Sequence, residues 1–230
     1  MAGALVQVSQ AFYFQALEYS EAGIVAAYWN MVPVILPVTS YFLLGQSLSI
    51  PHYIGIAILV VVSAAFCLLE SRFNGQIRSF YLMIIACLLQ TAFFLVNKAL
   101  FDHCPFFIGF LLVTLGIIIS GSIPLLFPKI RKTFAGNMAT LKPAIPMLVG
   151  IEVINLVAYF FSQRAISLGA PSLVAAVESS IPAYTFVISA ALFALIPRLG
   201  DPRAKERLWL KLLLVGAMAI GVGLVSDRFV

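Results

Sequence analysis

The chain has 230 residues, of which 62% are hydrophobic and only 10% are charged. A soluble domain usually has about 45–50% apolar and about 25% charged residues, so this composition excludes a soluble fold for most of the chain. The net charge of +5 does not indicate nucleic-acid binding, because the basic residues lie between apolar runs and form no basic face. The three cysteines match no metal or redox spacing, and we predict neither a metal nor a cofactor.

Eight apolar segments come close to the length of about 20 residues that a helix needs to cross a bilayer. They predict transmembrane helices at roughly 1–18, 22–45, 52–70, 79–100, 105–127, 143–166, 171–196 and 208–226. Backbone groups in lipid must be paired within their own segment, so runs of this length indicate helices and not strands. The sequence therefore predicts an all-α integral membrane protein of the cell membrane, with the lipid bilayer as its surroundings.

The chain also contains a weak internal repeat. When residues 12–45 are aligned with residues 161–194, nine of the 34 positions are identical, Pro33 and Pro182 among them. The repeat pairs the first predicted span with the sixth and the second with the seventh, so that an odd number of crossings separates the copies. The copies would then lie in the membrane with opposite orientation, as in many secondary transporters, which bind substrate near the midplane between their halves.

The repeat predicts two unequal parts of one membrane domain. Residues 71–230 would form a unit of five helices, and residues 1–70 would form a partial unit of three. The three helices match the last three of the larger unit, so two more are expected to precede Met1. The expected architecture is an inverted-repeat transporter bundle of about eight helices that lacks the first two of ten.

Several stretches resemble the drug/metabolite transporter superfamily, EamA type, from its third helix onward. FYFQALEYSEAG at residues 12–23 is similar to the end of that helix and the turn after it, and Pro33 stands where the family's next helix has a proline. LLGQSLSIPHYIGIA at residues 43–57 and QRAISLGAPSLVAAVESSIP at residues 163–182 resemble two further turns, although Gln46 stands where the family usually has Glu. The resemblance implies a transporter for amino acids, sugars, nucleotide sugars or drugs.

Polar groups inside the predicted spans are the candidates for a substrate site, because a charge in the membrane costs about 2.5–3.5 kcal/mol on insertion scales. Glu152 and Glu178 lie deep in predicted spans. Asn155 shares the helix face of Glu152, and the repeat places Asn30 opposite Ser179. The predicted substrate-binding residues are Glu152, Asn155, Glu178, Ser179, Asn30 and Gln15. We expect the Glu152 carboxyl to face the interior or a cavity and not lipid.

Each of these residues has a structural alternative. Glu152 and Glu178 can be carboxyls that are held between helices, and Arg164 can reach Glu178 across the short turn between their spans. Lys98 is expected to extend to the membrane interface. Aromatic side chains near the candidates can contact a ring or a cation, or simply pack: Tyr13, Tyr28, Trp29, Tyr159 and Tyr184.

Two further groups of residues are expected to shape the helices. Small residues in the last predicted span would let a neighbouring helix approach closely: Gly216, Ala217, Gly221 and Gly223. Prolines inside the second and seventh spans would kink them and free backbone carbonyls: Pro33, Pro37 and Pro182.

The leading functional hypothesis is a secondary transporter or exporter of a small metabolite that works by alternating access between two halves. A carboxyl in a low-dielectric surrounding can exchange protons near neutral pH, so Glu152 or Glu178 could couple transport to protons. An integral-membrane enzyme for lipid-linked substrates would need a catalytic cluster at one membrane face, and the sequence shows none, so we predict no enzymatic activity. An inactive, truncated transporter is the third alternative, and a homodimer stays open.

Two arguments about membrane orientation disagree. Alternating loops would place eleven of the fourteen basic residues on one side: Arg72, Arg78, Lys129, Arg131, Lys132, Lys142, Arg198, Arg203, Lys205, Arg207 and Lys211. The other side would have Lys98, Arg164 and Arg228. Because loops rich in Lys and Arg stay in the cytoplasm, this count places both termini outside. The resemblance implies the reverse, with both termini in the cytoplasm.

We predict the orientation that the charge count favours. A reporter enzyme that is active only in the cytoplasm, fused after Val230, should be inactive, whereas the same reporter in the loop at 129–142 should be active. Strong activity of the fusion at Val230 would show that the resemblance predicts the orientation better than the charges do.

Overall fold

The fold is all-α wherever the computed structural model describes the chain, at residues 1–69, 76–195 and 208–226. Its helices are α1 (Ala2–Leu17), α2 (Ala22–Trp29), α3 (Val32–Leu44), α4 (Ile50–Leu69), α5 (Ile77–His103), α6 (Phe106–Ser122), α7 (Pro128–Gly136), α8 (Met138–Leu141), α9 (Ile145–Leu168), α10 (Pro171–Glu178), α11 (Ile181–Leu195) and α12 (Leu208–Ser226). Short 3₁₀ turns occupy Ile123–Leu126 and Lys142–Ala144. The expected boundary between residues 70 and 71 lies outside the described residues.

The described residues include seven helical segments that are long and apolar enough to cross a membrane. These segments are Ala22–Leu44, Ile50–Leu69, Ile77–His103, Phe106–Leu126, Lys142–Leu168, Pro171–Ala191 and Trp209–Ser226. They confirm the coarser prediction of a multi-pass α-helical membrane protein. The predicted eighth span, at 1–18, corresponds to α1, which runs over 16 residues from Ala2 to Leu17.

Helix α1 belongs to the bundle, where it packs against α5 and α6. The Ser9 hydroxyl donates a hydrogen bond of 2.8 Å to the carbonyl of Ala86 in α5, and both groups are buried. On the other side of α1, Gly3 contacts the backbone of Gly116 in α6. Glycine is needed at position 3, because a Cβ there would overlap the neighbouring backbone.

Two of the predicted spans are not continuous helices. The segment 22–44 breaks at Asn30 and Met31 between α2 and α3, and the segment 171–195 breaks at Ser179 and Ser180 between α10 and α11. Each break lies just before a proline, Pro33 or Pro182, because a proline has no N–H to donate and its ring clashes with the carbonyl four residues earlier. Pro37, by contrast, lies inside the unbroken helix α3.

The two breaks repeat at a constant distance along the sequence. The first residues of α2 and α10 are 149 positions apart, as are the last residues of these helices and the first residues of α3 and α11. This is the offset at which residues 12–45 align with residues 161–194. The local structure of the two segments therefore follows the same pattern as their sequences.

Helix α5 is the support for both broken segments. Its buried residues Met83, Cys87 and Phe94 belong to the main hydrophobic cluster, together with Val25 of α2 and Ala175 of α10. The Cys87 thiol donates to the carbonyl of Tyr28 at 3.5 Å and lies 4.0 Å from the carbonyl of Trp29. Both carbonyls are at the end of α2. The Tyr28 carbonyl also accepts the backbone N–H of Met31 at 3.0 Å, whereas Pro33, four residues after Trp29, has no N–H to donate to the Trp29 carbonyl.

A second close contact joins α4 to α12. A Cβ on Gly221 would lie 2.8 Å from Cγ of Leu59, and a Cβ on Gly55 would lie 3.0 Å from the carbonyl oxygen of Gly221. A methyl group added to Gly216 or Gly223 would meet none of the described residues within 4 Å, so these two glycines face away from the contact. Of the glycines expected to admit a neighbouring helix, only Gly221 does so among the described residues.

Among the described helices, neighbours cover α9 along one half only. Every residue from 145 to 158 is exposed, whereas Gln163 and Ile166 are buried near the helix end. The Asn97 amide of α5 donates to the Gln163 side-chain oxygen at 3.0 Å, within the buried bundle. The contacts of α9 with the other described helices therefore concentrate at its C-terminal half.

Two lysines that the charge count assigned to loops lie inside the bundle. Lys98 is 9% exposed and forms an ion pair of 2.9 Å with Asp102, and its ammonium also donates to the carbonyl of Ser167 at 3.4 Å. It ties α5 to the end of α9, and the expectation that it extends to the membrane interface stays a prediction. Lys211 is buried in α12 with its ammonium 5.4 Å from the ring centroid of Phe186.

Other basic residues of that count lie outside the described residues: Arg72, Arg198, Arg203, Lys205, Arg207 and Arg228.

We predict that the α4–α12 contact tolerates no added side chain. Gly221→Val should lower the thermal unfolding temperature of the purified protein, because overpacking a tight contact costs about 1–3 kcal/mol. Gly223→Val is the matched control, since it makes the same change in the same helix with open space around it. Equal shifts for the two variants would contradict this contact.

Candidate functional site

A cavity of about 370 Å³ lies where the two helix breaks meet. Both broken segments line it, and α1, α4 and α5 complete the wall. The polar residues of the wall are Gln10, Asn30, Ser63, Glu178 and Ser179, and the apolar lining includes Tyr13, Trp29, Phe94, Pro33 and Pro182. A mostly apolar cavity of this size with a few convergent polar groups has the form of a small-molecule site.

The first break contributes an amide and an aromatic face. Asn30 is 6% exposed, and its side-chain amide donates to the carbonyl of Ala26 at 3.4 Å. Trp29 packs edge-on against Tyr13 of α1, with ring centroids 5.3 Å apart and an interplanar angle of 82°. The break thus holds two aromatic rings and one amide against the cavity.

The second break contributes the carboxylate. Glu178 ends α10 and accepts a hydrogen bond of 2.5 Å from the Ser162 hydroxyl of α9. The hydroxyls of Ser179 and Ser180 each donate to a carbonyl three residues earlier, at 2.6 Å, in addition to the backbone N–H that each of these carbonyls accepts. A carboxylate can accept several hydrogen bonds, so the acceptor capacity that Ser162 does not use can serve a bound molecule.

Arg164 does not pair with Glu178. Its guanidinium carbon lies 4.9 Å from the ring centroid of Phe106, so the side chain stacks on an aromatic ring of α6. The turn between α9 and α10 directs Glu178 into the cavity and Arg164 away from it. The structural alternative in which Arg164 pairs with Glu178 is therefore not the arrangement that the structure shows.

The structure brings three of the six predicted substrate-binding residues together. Asn30, Glu178 and Ser179 all line the cavity, as the alignment of the two repeats suggested. Their common feature is position: each lies within one residue of a helix break.

The other three predicted residues lie elsewhere. Glu152 and Asn155 are on the exposed stretch of α9, where none of the described helices covers them, and they do not line the cavity. The expectation that Glu152 faces the interior or a cavity is thus wrong for the described structure. Gln15 is exposed and lines a separate groove on the outer side of α1. Helical spacing placed Glu152 and Asn155 on one face correctly but could not say which neighbour that face meets.

Two wall residues were not predicted from the sequence. Gln10 of α1 lines the cavity and also the outer groove. Ser63 of α4 is 1% exposed, and among the described residues its hydroxyl oxygen has no hydrogen-bond partner. A buried hydroxyl without a partner on a cavity wall is where a ligand group or water would be expected to bind. Serine is common in membrane helices, so no sequence signal distinguished Ser63.

The described part of the chain contains no group of three His, Cys, Asp or Glu side chains that could hold a metal ion. Cys67 lines the cavity near Ser63, and Cys87 bonds the end of α2.

The chain matches no protein-family model and no curated protein sequence.

We predict that Asn97 and Asn155 differ sharply in their contribution to stability. Asn97→Ala should lower the free energy of unfolding by about 1 kcal/mol, because it removes the buried hydrogen bond to Gln163. Asn155→Ala should leave it unchanged, since that residue lies on the exposed stretch of α9. The two variants can be compared by denaturant titration of the purified protein, and an equal loss for Asn155→Ala would show that another helix covers α9.

Proposed function

We propose that this protein is a secondary transporter of a small molecule, with its substrate site in the cavity between the two helix breaks. The observation that carries the proposal is the pair of breaks, at Asn30–Met31 and Ser179–Ser180, both on the wall of one cavity. Broken helices that face each other at a cavity are a recurrent feature of secondary transporters, in which they supply backbone groups and half-helix ends to the substrate.

The free-energy cost of breaking two membrane helices also supports the proposal. Each break leaves backbone groups without helical partners, and in a membrane such groups are tolerated only where protein or a cavity surrounds them. Here the carbonyls next to the breaks accept further hydrogen bonds, from the Cys87 thiol of α5 and from the hydroxyls of Ser179 and Ser180. A protein that only needed to span the membrane would gain nothing from two such breaks.

The resemblance to EamA-type transporters agrees with this proposal. The stretches that carry it, at residues 12–23 and 163–182, contain or adjoin the two broken segments. Alternating access would then come from rocking of one half against the other around the breaks, with the α4–α12 contact as a fixed point. Proton coupling through Glu178 belongs to the same proposal, since this carboxylate faces the cavity from within the bundle.

An enzyme for lipid-linked substrates has less support. Its catalytic groups would cluster at one membrane face, whereas the polar groups that converge in the described structure lie at the breaks, in the middle of the segments 22–44 and 171–191. The described wall of the cavity holds one carboxylate, and a general acid and base pair would need a second group of that kind.

The proposal predicts that Glu178→Gln abolishes transport without unfolding the protein. Purified protein in liposomes would be tested for exchange of labelled compounds from four classes: amino acids, organic amines, sugars and nucleosides. Wild type should exchange at least one compound above the level of empty liposomes. Glu178→Gln should lose most of this exchange while keeping its thermal unfolding temperature, because glutamine still accepts the Ser162 hydrogen bond.

Glu152→Gln serves as the control, since it removes a carboxylate from a membrane helix outside the cavity. It should exchange substrate at the wild-type rate. Undiminished exchange by Glu178→Gln, or no exchange of any of the four classes by wild type, would count against a transport site at the breaks.

A further inference from the structure

We propose that the cavity at the breaks selects a small organic cation, such as an amine or a quaternary ammonium compound with an aromatic or apolar body. This inference rests on the proposed function for its biological meaning, but it concerns the charge of the bound molecule and can be tested by binding alone.

The first argument is the sign of the charge. Glu178 is the one residue on the described cavity wall that belongs to the Asp, Glu, Lys, Arg and His set. Its hydroxyl partner Ser162 is neutral, and Arg164, the nearest basic residue in sequence, stacks on Phe106 instead. A carboxylate whose surrounding wall, as far as the structure describes it, carries no positive charge favours a cationic ligand that would neutralise it.

The second argument is the aromatic lining. Trp29 and Tyr13 are in edge-on contact on the same wall, and Phe94 adds a third ring. Aromatic faces attract ammonium groups by cation–π interaction, most strongly where water is excluded. The repeat adds a geometric point, because Trp29 and Glu178 occupy equivalent positions at the two breaks, 149 residues apart. One break therefore presents a ring and the other presents the charge.

The third argument is the separate groove on the outer side of α1. A groove of about 880 Å³ runs along α1 and past Ser120 and Pro124, and Gln10 lines both spaces. The charged residue that lines this groove, among the described residues, is Glu18. Both spaces thus have an acidic residue and no basic one on their described walls, in a chain that has fourteen basic and nine acidic residues.

The size and the remaining polar groups limit the ligand further. A cavity of about 370 Å³ lies near the lower end of the range for small-molecule sites. The Ser63 hydroxyl is buried there without a partner among the described residues and can bond one polar group of a ligand. A compact amine with one ring and one hydroxyl or carbonyl group fits these constraints, whereas a nucleotide sugar carries phosphates that Glu178 would repel.

The experiment uses the intrinsic fluorescence of Trp29. The chain has two tryptophans, and Trp209 is 81% exposed, so Trp209→Phe leaves Trp29 as the single reporter in the cavity. The probes are three compounds of similar size and shape that differ in charge: benzyltrimethylammonium, neopentylbenzene and phenylacetate. The cation should change the Trp29 emission saturably, and its apparent Kd should be at least about tenfold lower than that of either other probe.

Two substitutions at one position assign this preference to the carboxylate. Glu178→Gln in the Trp209→Phe background should raise the Kd for benzyltrimethylammonium at least about tenfold, because it removes the charge and keeps the hydrogen-bonding shape. Glu178→Asp, which keeps the charge, should retain the preference for the cation over phenylacetate. Glu152→Gln, outside the cavity, should not alter the Kd.

The outcomes separate this inference from the proposed function. Binding of phenylacetate or neopentylbenzene as tight as that of the cation would overturn the inference, whether or not the protein transports. Selective binding of the cation without exchange in liposomes would support the inference and count against transport. If Glu178→Gln does not fold, the comparison of the three probes on the Trp209→Phe protein still decides the charge preference.

Discussion

The arrangement of helices around the cavity depends on two missing backbone hydrogen bonds, one at each helix break. Pro33 and Pro182 each remove a donor from a membrane helix, and each helix breaks in the turn before its proline. A proline inside a helix costs about 3 kcal/mol or more, and the freed carbonyls of a membrane helix cannot turn to water. The breaks are therefore stable only where other parts of the bundle or a polar cavity receive the exposed groups. The positions of α1, α5 and α10 around the breaks follow from this requirement.

The two helix breaks differ in the groups that donate hydrogen bonds to their carbonyls. At the first break the Cys87 thiol of α5 donates to the end of α2. At the second break the serine hydroxyls at positions 179 and 180 add hydrogen bonds to carbonyls of their own segment. Glu178 lies at the same break on the cavity wall, and Ser162 of α9 donates a hydrogen bond to its carboxylate. Because the two breaks differ in sequence, one presents the Glu178 carboxylate to the cavity and the other presents the Trp29 ring.

Much of the fold could be predicted from the sequence, because the bilayer imposes one length and one secondary structure on apolar segments. The predicted span 208–226 coincides with α12, and 79–100 lies within α5. The breaks could be placed near Pro33 and Pro182 from proline chemistry, and the repeat brought Asn30 and Ser179 to matching positions. The predicted span at 1–18 corresponds to α1, which runs from Ala2 to Leu17.

The contrast between Glu178 and Glu152 shows what sequence alone determined. Both are carboxylates within apolar helices, and the cost of a charge in lipid made both of them site candidates. Sequence determined that such groups need a partner, that Pro33 and Pro182 interrupt their helices, and that most of the chain is membrane-embedded. Only the tertiary structure decided which carboxylate meets the cavity. Glu178 ends a helix that the bundle surrounds, whereas Glu152 lies on the part of α9 that no described helix covers. Helical periodicity gives the direction of a side chain around its own axis, but the neighbour on that side is set by long-range packing, which local sequence does not encode.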